Sequence, residues 1–516
     1  MPAPKEIEIK LQLPSAKSGR LRRVPLLRRA SKSKQSENEV SIYFDTKRLK
    51  LKRSGLTLRI RKANGRYIQT IKSDEAGPFE RGEWEKEIED CRPDLNDADA
   101  SPLEPLGLKK LRKRLRPVFE TRVQRTTYPL RHKSCEIELA IDRGEIDAGR
   151  NSLPLWEAEL ELKQGDRARL FEVARSFAAA TSAELAVKSK AERGYDLLAG
   201  DAAAVVKAEE VELAADMPAK AAFQSIASTC LKQVVANKPA ILSGNAEGIH
   251  QMRIGLRRLR AAISLFAYMV SEAEVRTIKA ELKWITNELG PAREFDVFLT
   301  KVVAPLERQH ARLVGMRSLS QDLEDRREAA RKRALTAVCS KRFRELTLNI
   351  AAWLETGHWR EPQDLLLREF CEEPIDIAAQ AQLGRGWKKI RKRGRRLAKL
   401  DPRARHKLRI AAKKLRYATE FYQTVFAGRK QQKRRAAFLS NLKDLQDCLG
   451  DLNDIFMHEK LATGMARAKG TRSPQRTKEL FAAGLLAGHE EARLKPLQAA
   501  AEDAFRRFGK LTPYWK

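Results

Sequence analysis

An eleven-residue stretch occurs twice in this chain. His250-Gln-Met-Arg-Ile-Gly-Leu-Arg-Arg-Leu-Arg260 returns 156 residues later as His406-Lys-Leu-Arg-Ile-Ala-Ala-Lys-Lys-Leu-Arg416. Wound as a helix at about 100° per residue, the first copy gathers His250, Arg253, Arg257 and Arg260 within an arc of roughly 80°. The second gathers His406, Arg409, Lys413 and Arg416 in the same way. Met252, Leu256, Leu259, Ile263 and Phe266 fall on the opposite side of one copy, and Leu408, Ala412, Leu415 and Tyr422 on that of the other. Each helix must therefore bury one face and present a cationic face that cannot be buried unpaired. Asn245, and Asp401 followed by Pro402, stand where N-caps belong.

Charge narrows the choice of partner. Lys and Arg exceed Asp and Glu by 34 over 516 residues. Such an excess points to a polyanion: nucleic acid, an anionic membrane surface or polyphosphate. It is concentrated, with 21 basic residues against two acids between Arg385 and Arg435, but 42 against 31 in the first 200 residues. The length calls for two or three cores. Six dispersed cysteines without a C-x-x-C indicate neither a zinc site nor a disulfide framework. No signal peptide opens the chain and no apolar stretch is long enough to span a bilayer, so a cytoplasmic protein without a membrane partner is expected.

The first two hundred residues alternate with period two. Ile7 and Ile9 interleave with Glu6, Glu8 and Lys10; Leu58 and Ile60 with Arg59 and Arg61; Trp84 and Ile88 flank Glu83, Glu85 and Glu87. Ile137 and Leu139 alternate with Glu136 and Glu138, and Leu160 and Leu162 with Glu159, Glu161 and Lys163. With Ser41–Thr46, Tyr67–Lys72 and Phe119–Leu130 this makes eight strands. Turn signals at Ala63-Asn-Gly65 and Asp142-Arg-Gly144 separate them, and an antiparallel sheet or closed barrel follows. One strand with a charged face is ordinarily a solvated strand. Five in one domain suggest an internal face carrying both signs: cations to grip phosphate oxygens, and carboxylates for hard ions such as Mg²⁺ or Mn²⁺.

Here the residues resemble a known family. Glu6-Ile-Glu8-Ile-Lys10 fits the ExExK signature of CYTH domains, the triphosphate tunnel metalloenzymes. Leu58-Arg-Ile-Arg61, Thr70-Ile-Lys72, Arg81-Gly-Glu-Trp-Glu85, Glu136-Ile-Glu138, Glu157-Ala-Glu-Leu-Glu161 and Ser189-Lys-Ala-Glu-Arg-Gly-Tyr195 follow in the family's order. The resemblance implies an eight-stranded tunnel that acts on a triphosphate with a divalent metal. It implies Glu6, Glu8, Glu159 and Glu161 as ligands for Mg²⁺ or Mn²⁺. Lys10, Arg59, Arg61, Lys72 and Arg125 become phosphate grips, with Lys10 and Glu85 also in the catalytic set. Lys188, Lys190 and Arg193 would close the tunnel mouth. Arg122 against Arg125, and Glu83 against Glu85, stay open because a bulge would change which side chain points inward.

Beyond an Ala-rich, acidic stretch at 206–217 the alternation gives way to Leu/Ala periodicity. The expected architecture is α+β and multidomain: a tunnel over 1–205, a linker, and an all-α domain over 218–510 made of two related halves, about 218–360 and 361–510. The duplication continues past the basic helices, since Glu281–Gly290 matches Asn441–Gly450, and both glycines read as helix stops. This pattern resembles the CHAD domain, which commonly follows a CYTH domain. The resemblance implies that His250, Arg253, Arg257, Arg260, His406, Arg409, Lys413 and Arg416 bind inorganic polyphosphate, with Arg258, Lys414 and the Lys388–Arg396 cluster adding to the field. Association with polyphosphate granules would follow.

The expected activity is metal-dependent hydrolysis of inorganic triphosphate. The competing readings are a nucleotide or thiamine triphosphatase, a class IV adenylate cyclase, and a non-catalytic scaffold for polyphosphate or nucleic acid. Nucleic acid is disfavoured because the basic residues are not interleaved with stacking aromatics.

Overall fold

The computed structural model of the protein describes residues 5–14, 21, 24–73, 80–96, 101–132, 134–310, 314–467 and 474–516. Two compact units emerge. One comprises Met1–Lys207, Ser228–Met252 and Val338–Gly357; the other comprises Ala208–Ala227, Arg253–Ala337 and His358–Lys516.

Among the described residues the first unit holds nine strands: β1 (Lys5–Gln12), β2 (Gln35–Asp45), β3 (Leu56–Ala63), β4 (Arg66–Ser73), β5 (Glu80–Ile88), β6 (Arg116–His132), β7 (Cys135–Asp147), β8 (Ser152–Gln164) and β9 (Glu184–Ala186). All pair antiparallel in the order β5-β4-β3-β2-β6-β7-β8-β1-β9, and β1 also pairs with β5. Strands β1 to β8 thus close into a ring. The ninth strand corrects the expected eight: β9 pairs with Lys10–Gln12 of β1, beyond the Lys5–Ile7 segment that pairs with β5. With three residues it is too short to show an alternation.

Alternation sorts the side chains. Phe44, Leu58, Ile60 and Ile71 face outward and pack on Leu95, Leu103 and Leu111. Tyr43, Phe119, Val123, Ile146 and Leu155 face inward and make one stretch of the lumen apolar. The helix Lys190–Leu198 seals that stretch through Ala191, Tyr195 and Leu197. Its approach requires Gly194, where a Cβ would stand 2.2 Å from the Phe119 ring. Beyond it the lumen is polar.

The turn at Ala63-Asn-Gly65 forms as expected, with φ of 49° at Asn64 and 81° at Gly65, the left-handed pair of a tight hairpin. Asp142-Arg-Gly144 does not turn. Strand β7 runs through it to Asp147, and the chain reverses at Gly149. Gly144 serves close approach instead, because a Cβ there would lie 1.9 Å from the Arg122 carbonyl oxygen on β6.

Past residue 207 the described elements are helical. The duplicated stretches form the helices Ala246–Leu265 and Pro402–Phe421. Asn245 caps the first by accepting from the Glu247 amide, and Asp401 caps the second by accepting from the Ala404 amide. Their apolar faces are buried: Met252, Leu256, Leu259, Ile263 and Phe266 in one, Leu408, Ala412, Leu415 and Tyr422 in the other.

Gly290 and Gly450 do not end helices. They lie inside Glu272–Phe298 and Arg429–Arg467, the former passing Pro291 as well. Tertiary packing overrides the local signal. Gly290 makes room for the Arg253 guanidinium, which would sit 3.1 Å from its Cβ, and Gly450 lies opposite Arg409 at 3.9 Å.

Candidate functional site

The strand registers assemble the polar half of the lumen. Glu8 faces Glu161 and Lys10 faces Glu159 across β1 and β8, while Glu138 faces Glu161 across β7 and β8. On another wall Arg59, Thr70 and Glu85 share one row, and Thr57, Lys72 and Glu83 the next. All of these except Thr70, together with Arg61, Arg125, Tyr43 and Lys190, line a cavity of about 250 Å³.

Its two ends differ in how their charges are satisfied. At the inner end Lys190 lies 2.7 Å from Asp142, 2.5 Å from Glu157 and 3.0 Å from Glu159. Arg125 reaches both Asp142 and Glu159 at 2.6 Å, and Arg193 bonds Glu157 and Gln12. Asp142 and Glu157 are wholly buried. Burial would raise the Asp142 and Glu159 carboxyls, but Lys190 and Arg125, joined by Lys10 at Glu159, overcome it and hold both below the ordinary carboxylate range. Burial likewise works against the Lys190 ammonium, yet Asp142, Glu157 and Glu159 carry it well above the usual lysine value.

At the outer end the balance is looser. Lys72 bonds Glu83 at 3.0 Å, whereas Arg59 approaches Glu83 only to 3.9 Å and Arg61 stands 3.6 Å from Glu39 and 3.7 Å from Glu85. The Nε–H groups of Arg59 and Arg61 are buried without a hydrogen-bond acceptor among the described residues. Seven other arginine Nε–H groups among the described residues, those of Arg193 and Arg253 among them, are buried in the same state, so what sets this pair apart is the cavity they line.

The donor set also fits a hard divalent cation. Oxygens of Asp142, Glu157 and Glu159 lie within 4.8 Å of one another, but Lys190, Arg125 and Arg193 already compensate that group. Glu8 and Glu161, facing each other, also line the cavity, where Glu8 bonds Lys10 and Glu161 lies 2.6 Å from Lys163, with Glu159 adjoining both groups. Burial and Glu159 raise the Glu8 carboxyl while Lys10 and Lys72 lower it, and the cations prevail. The Glu6 side chain lies outside the described residues; its backbone pairs with Arg81 in β1.

Glu8, Lys10, Arg59, Arg61, Lys72, Glu85, Arg125, Glu159 and Glu161 all reach the cavity. Both open choices resolve. Arg125 points inward while Arg122 turns away to Glu120 and Asp147, and Glu83 and Glu85 both line the wall. Lys188 is a correction: it precedes the cap residue Ser189 and bonds Asp196 at 2.8 Å instead of reaching the cavity. Arg193 is spent on Glu157 and Gln12, away from the lining. Tyr43, Glu39 and Asp142 were not legible as site residues; the alternation Glu39-Val-Ser41-Ile-Tyr43 carried the first two, and the false turn hid the third.

In the second unit, the helix Pro402–Phe421 and residues 253–265 of the first duplicated helix border a groove of about 660 Å³. Arg257, Arg260, His406, Arg409, Lys413 and Lys414 line it, joined by Lys279 and Lys283 from Glu272–Phe298, and no carboxylate is among the described lining residues. Burial, then Arg409 and Arg257, push the Lys413 ammonium down to about 7. Burial and Arg257 also lower Arg409, whose Nε–H has no acceptor among the described residues. Three expected members lie elsewhere. Arg253 is buried, donating to the Thr286 carbonyl; Arg258 donates to the Glu209 carbonyl and stacks on Phe421; Arg416 pairs with Glu420 one turn on. His250 belongs to the first unit and is half-buried there. Lys279 and Lys283 stand outside the duplicated basic stretch, and only the packing of Glu272–Phe298 brings them to the groove.

Comparison with known proteins finds two family matches, the second of which spans parts of both compact units. Residues 4–195 match the CYTH domain and residues 225–463 the CHAD domain. Over 81 residues the chain is 36% identical to the inorganic triphosphatase of Haemophilus influenzae, a match that spans 16% of this chain and 23% of that protein. The crystal structure of the CHAD domain from the plant Ricinus communis superposes with a TM-score of 0.50 at 27% identity, covering 60% of this chain and 98% of that one.

Proposed function

We propose, from the premise that the chain carries a CYTH domain followed by a CHAD domain, that its tunnel hydrolyses inorganic triphosphate with a divalent metal while its groove holds inorganic polyphosphate. The observation that carries the first half is the pair of buried, acceptorless Nε–H groups of Arg59 and Arg61, in a cavity whose facing wall is carboxylate. A phosphate chain supplies oxygens to such donors, and the guanidinium fork matches them geometrically.

Arg59, Arg61, Lys72 and Arg125 bind and orient the phosphates, with Lys10 beside the carboxylates. Glu8, Glu159 and Glu161 would hold Mg²⁺ or Mn²⁺, with Glu6 the fourth candidate on the same strand. The ion would neutralise charge that develops as the phosphoanhydride breaks. Glu83 and Glu85 position a water, and Lys190 and Arg193 compensate the charge of Glu157 at the inner end. Among the described lining residues Tyr43 is the one aromatic ring amid charged side chains, which suits a substrate without a base.

The deciding experiment is a substrate panel of inorganic triphosphate, ATP and thiamine triphosphate on purified protein, with and without EDTA. Phosphate release greatest from inorganic triphosphate and abolished by EDTA is expected. Cyclic AMP formation from ATP would overturn the reading.

For the groove, eight basic side chains with no carboxylate among the described lining residues suit a polymer that offers only phosphate oxygens. Long-chain polyphosphate should displace DNA at equal phosphate concentration, and failure to do so would favour nucleic acid.

A further inference from the structure

A second cationic groove lies on the outside of the tunnel domain, away from the lumen. It measures about 700 Å³ and is lined by Lys47, Arg48, Lys50, Arg53, Lys110 and Arg114, with Thr46, Leu106 and Leu111 beneath them. All six cations are exposed, and no carboxylate is among the described lining residues. The side chains of Lys47, Arg48, Arg53, Lys110 and Arg114 make no hydrogen bond or ion pair with another described residue. Elsewhere on this protein exposed cations commonly find a carboxylate three or four residues away, as Arg326 finds Asp322 and Arg507 finds Asp503.

The segment presenting four of these charges is held rigidly from below. Asp45, wholly buried, accepts from the amides of Thr46, Leu51 and Lys52 at 2.6, 2.9 and 3.1 Å, and from the Tyr195 hydroxyl at 2.9 Å. The turn it stabilises places Leu49 at a φ of 52°, a conformation that leucine adopts at a cost. Lys50 reaches across to the Leu106 carbonyl at 2.8 Å and ties this turn to the segment that bears Lys110 and Arg114. Like charges are thus pre-assembled along two facing segments, which lowers the ordering cost of binding a polyanion.

We propose that this groove binds a stretch of inorganic polyphosphate on the outer wall of the tunnel domain. The charges call for phosphate oxygens, and among the described lining residues there is no aromatic ring on which a base could stack, which argues for a phosphate chain over RNA. The inference concerns binding alone and does not depend on what the tunnel hydrolyses.

The test uses full-length protein carrying Arg257→Ala, Arg409→Ala and Lys413→Ala, so that the groove of the helical unit is weakened, with EDTA present to protect the probe. Affinity for end-labelled long-chain polyphosphate is measured by anisotropy across a salt series, before and after adding Arg48→Glu, Arg53→Glu and Arg114→Glu. Loss of three phosphate contacts should weaken binding by about tenfold or more and flatten the slope of log K against log salt by about 2. The matching Arg→Lys triple keeps the charges and should retain affinity.

Unchanged affinity and slope in the glutamate triple would overturn the proposal. So would equal loss in the lysine triple, which would report damage to the fold, or absence of all binding in the starting variant. Displacement of the probe by single-stranded RNA as readily as by unlabelled polyphosphate would overturn the choice of occupant.

Discussion

Replacing Lys190 by Met removes an ammonium while keeping most of its apolar stem, and it tests whether the inner end of the tunnel is held together by charge. The ammonium touches Asp142 at 2.7 Å, Glu157 at 2.5 Å and Glu159 at 3.0 Å, and Asp142 and Glu157 have no solvent exposure. Breaking a buried ion-pair network from one side costs roughly 3 to 5 kcal/mol, because the remaining charges are left uncompensated. Arg125 and Arg193 stay in place to share the load, so the lower end, about 3 kcal/mol, is expected. That cost should appear as an increase on the order of a hundredfold in the opening of β7 and β8, read by native-state hydrogen exchange.

The pH dependence supplies the sharper check. In the parent protein the Asp142 and Glu159 carboxyls lie below their unfolded values. They therefore contribute stability above about pH 4 and lose it as pH falls through their folded values. Without Lys190, burial acts less opposed and these carboxyls take up protons more readily, so the variant's deficit should shrink as pH falls from about 7 to about 5. A deficit below about 0.5 kcal/mol, or one that stays constant over that range, would refute the argument.

Further outcomes follow from other contacts. Glu8→Gln or Glu161→Gln should abolish EDTA-sensitive phosphate release from inorganic triphosphate while leaving polyphosphate binding by the groove intact, a split read by running both assays on one preparation. Gly450→Ala should stabilise the protein by up to about 1 kcal/mol in urea titration, since its Cβ would meet Arg409 only at 3.9 Å, whereas Gly290→Ala should lose that gain because Arg253 stands at 3.1 Å. Polyphosphate affinity should fall as pH rises through about 7, where Lys413 gives up its proton in the free protein, and Lys413→Arg should remove the dependence in a titration series.

Much of this was legible from residue order because two periods are written plainly into it. Strict alternation in β3, β4 and β8 assigned Arg59, Arg61, Lys72, Glu159 and Glu161 to one face, and closure of the ring made that face internal. The duplicated helix likewise told which side chains to bury. What escaped depended on neighbours distant in the chain. Gly144 reads as a turn until the backbone of β6 lies against it, and Gly290 as a stop until Arg253 fills the space. Helical phase places Arg253 and Arg257 on one face but cannot say that Arg253 is drawn off to the Thr286 carbonyl while Arg257 stays in the groove. Lys188 and Lys190 differ by two residues in the sequence, and only the helix cap between them decides which one enters the lumen.

The junction of β1, β8, β9 and the sealing helix forms a closed kinematic loop. Lys10 is laddered to Ala186 on one side and to Glu159 on the other; four residues of covalent chain lead from Ala186 to Lys190; and Lys190 returns to Glu159 at 3.0 Å. A linkage closed on itself has far fewer free motions than an open chain of the same parts, so no member can shift without carrying the others along. Arg59, Arg61 and Lys72 stand on β3 and β4, which belong to the larger ring of strands but not to this short loop.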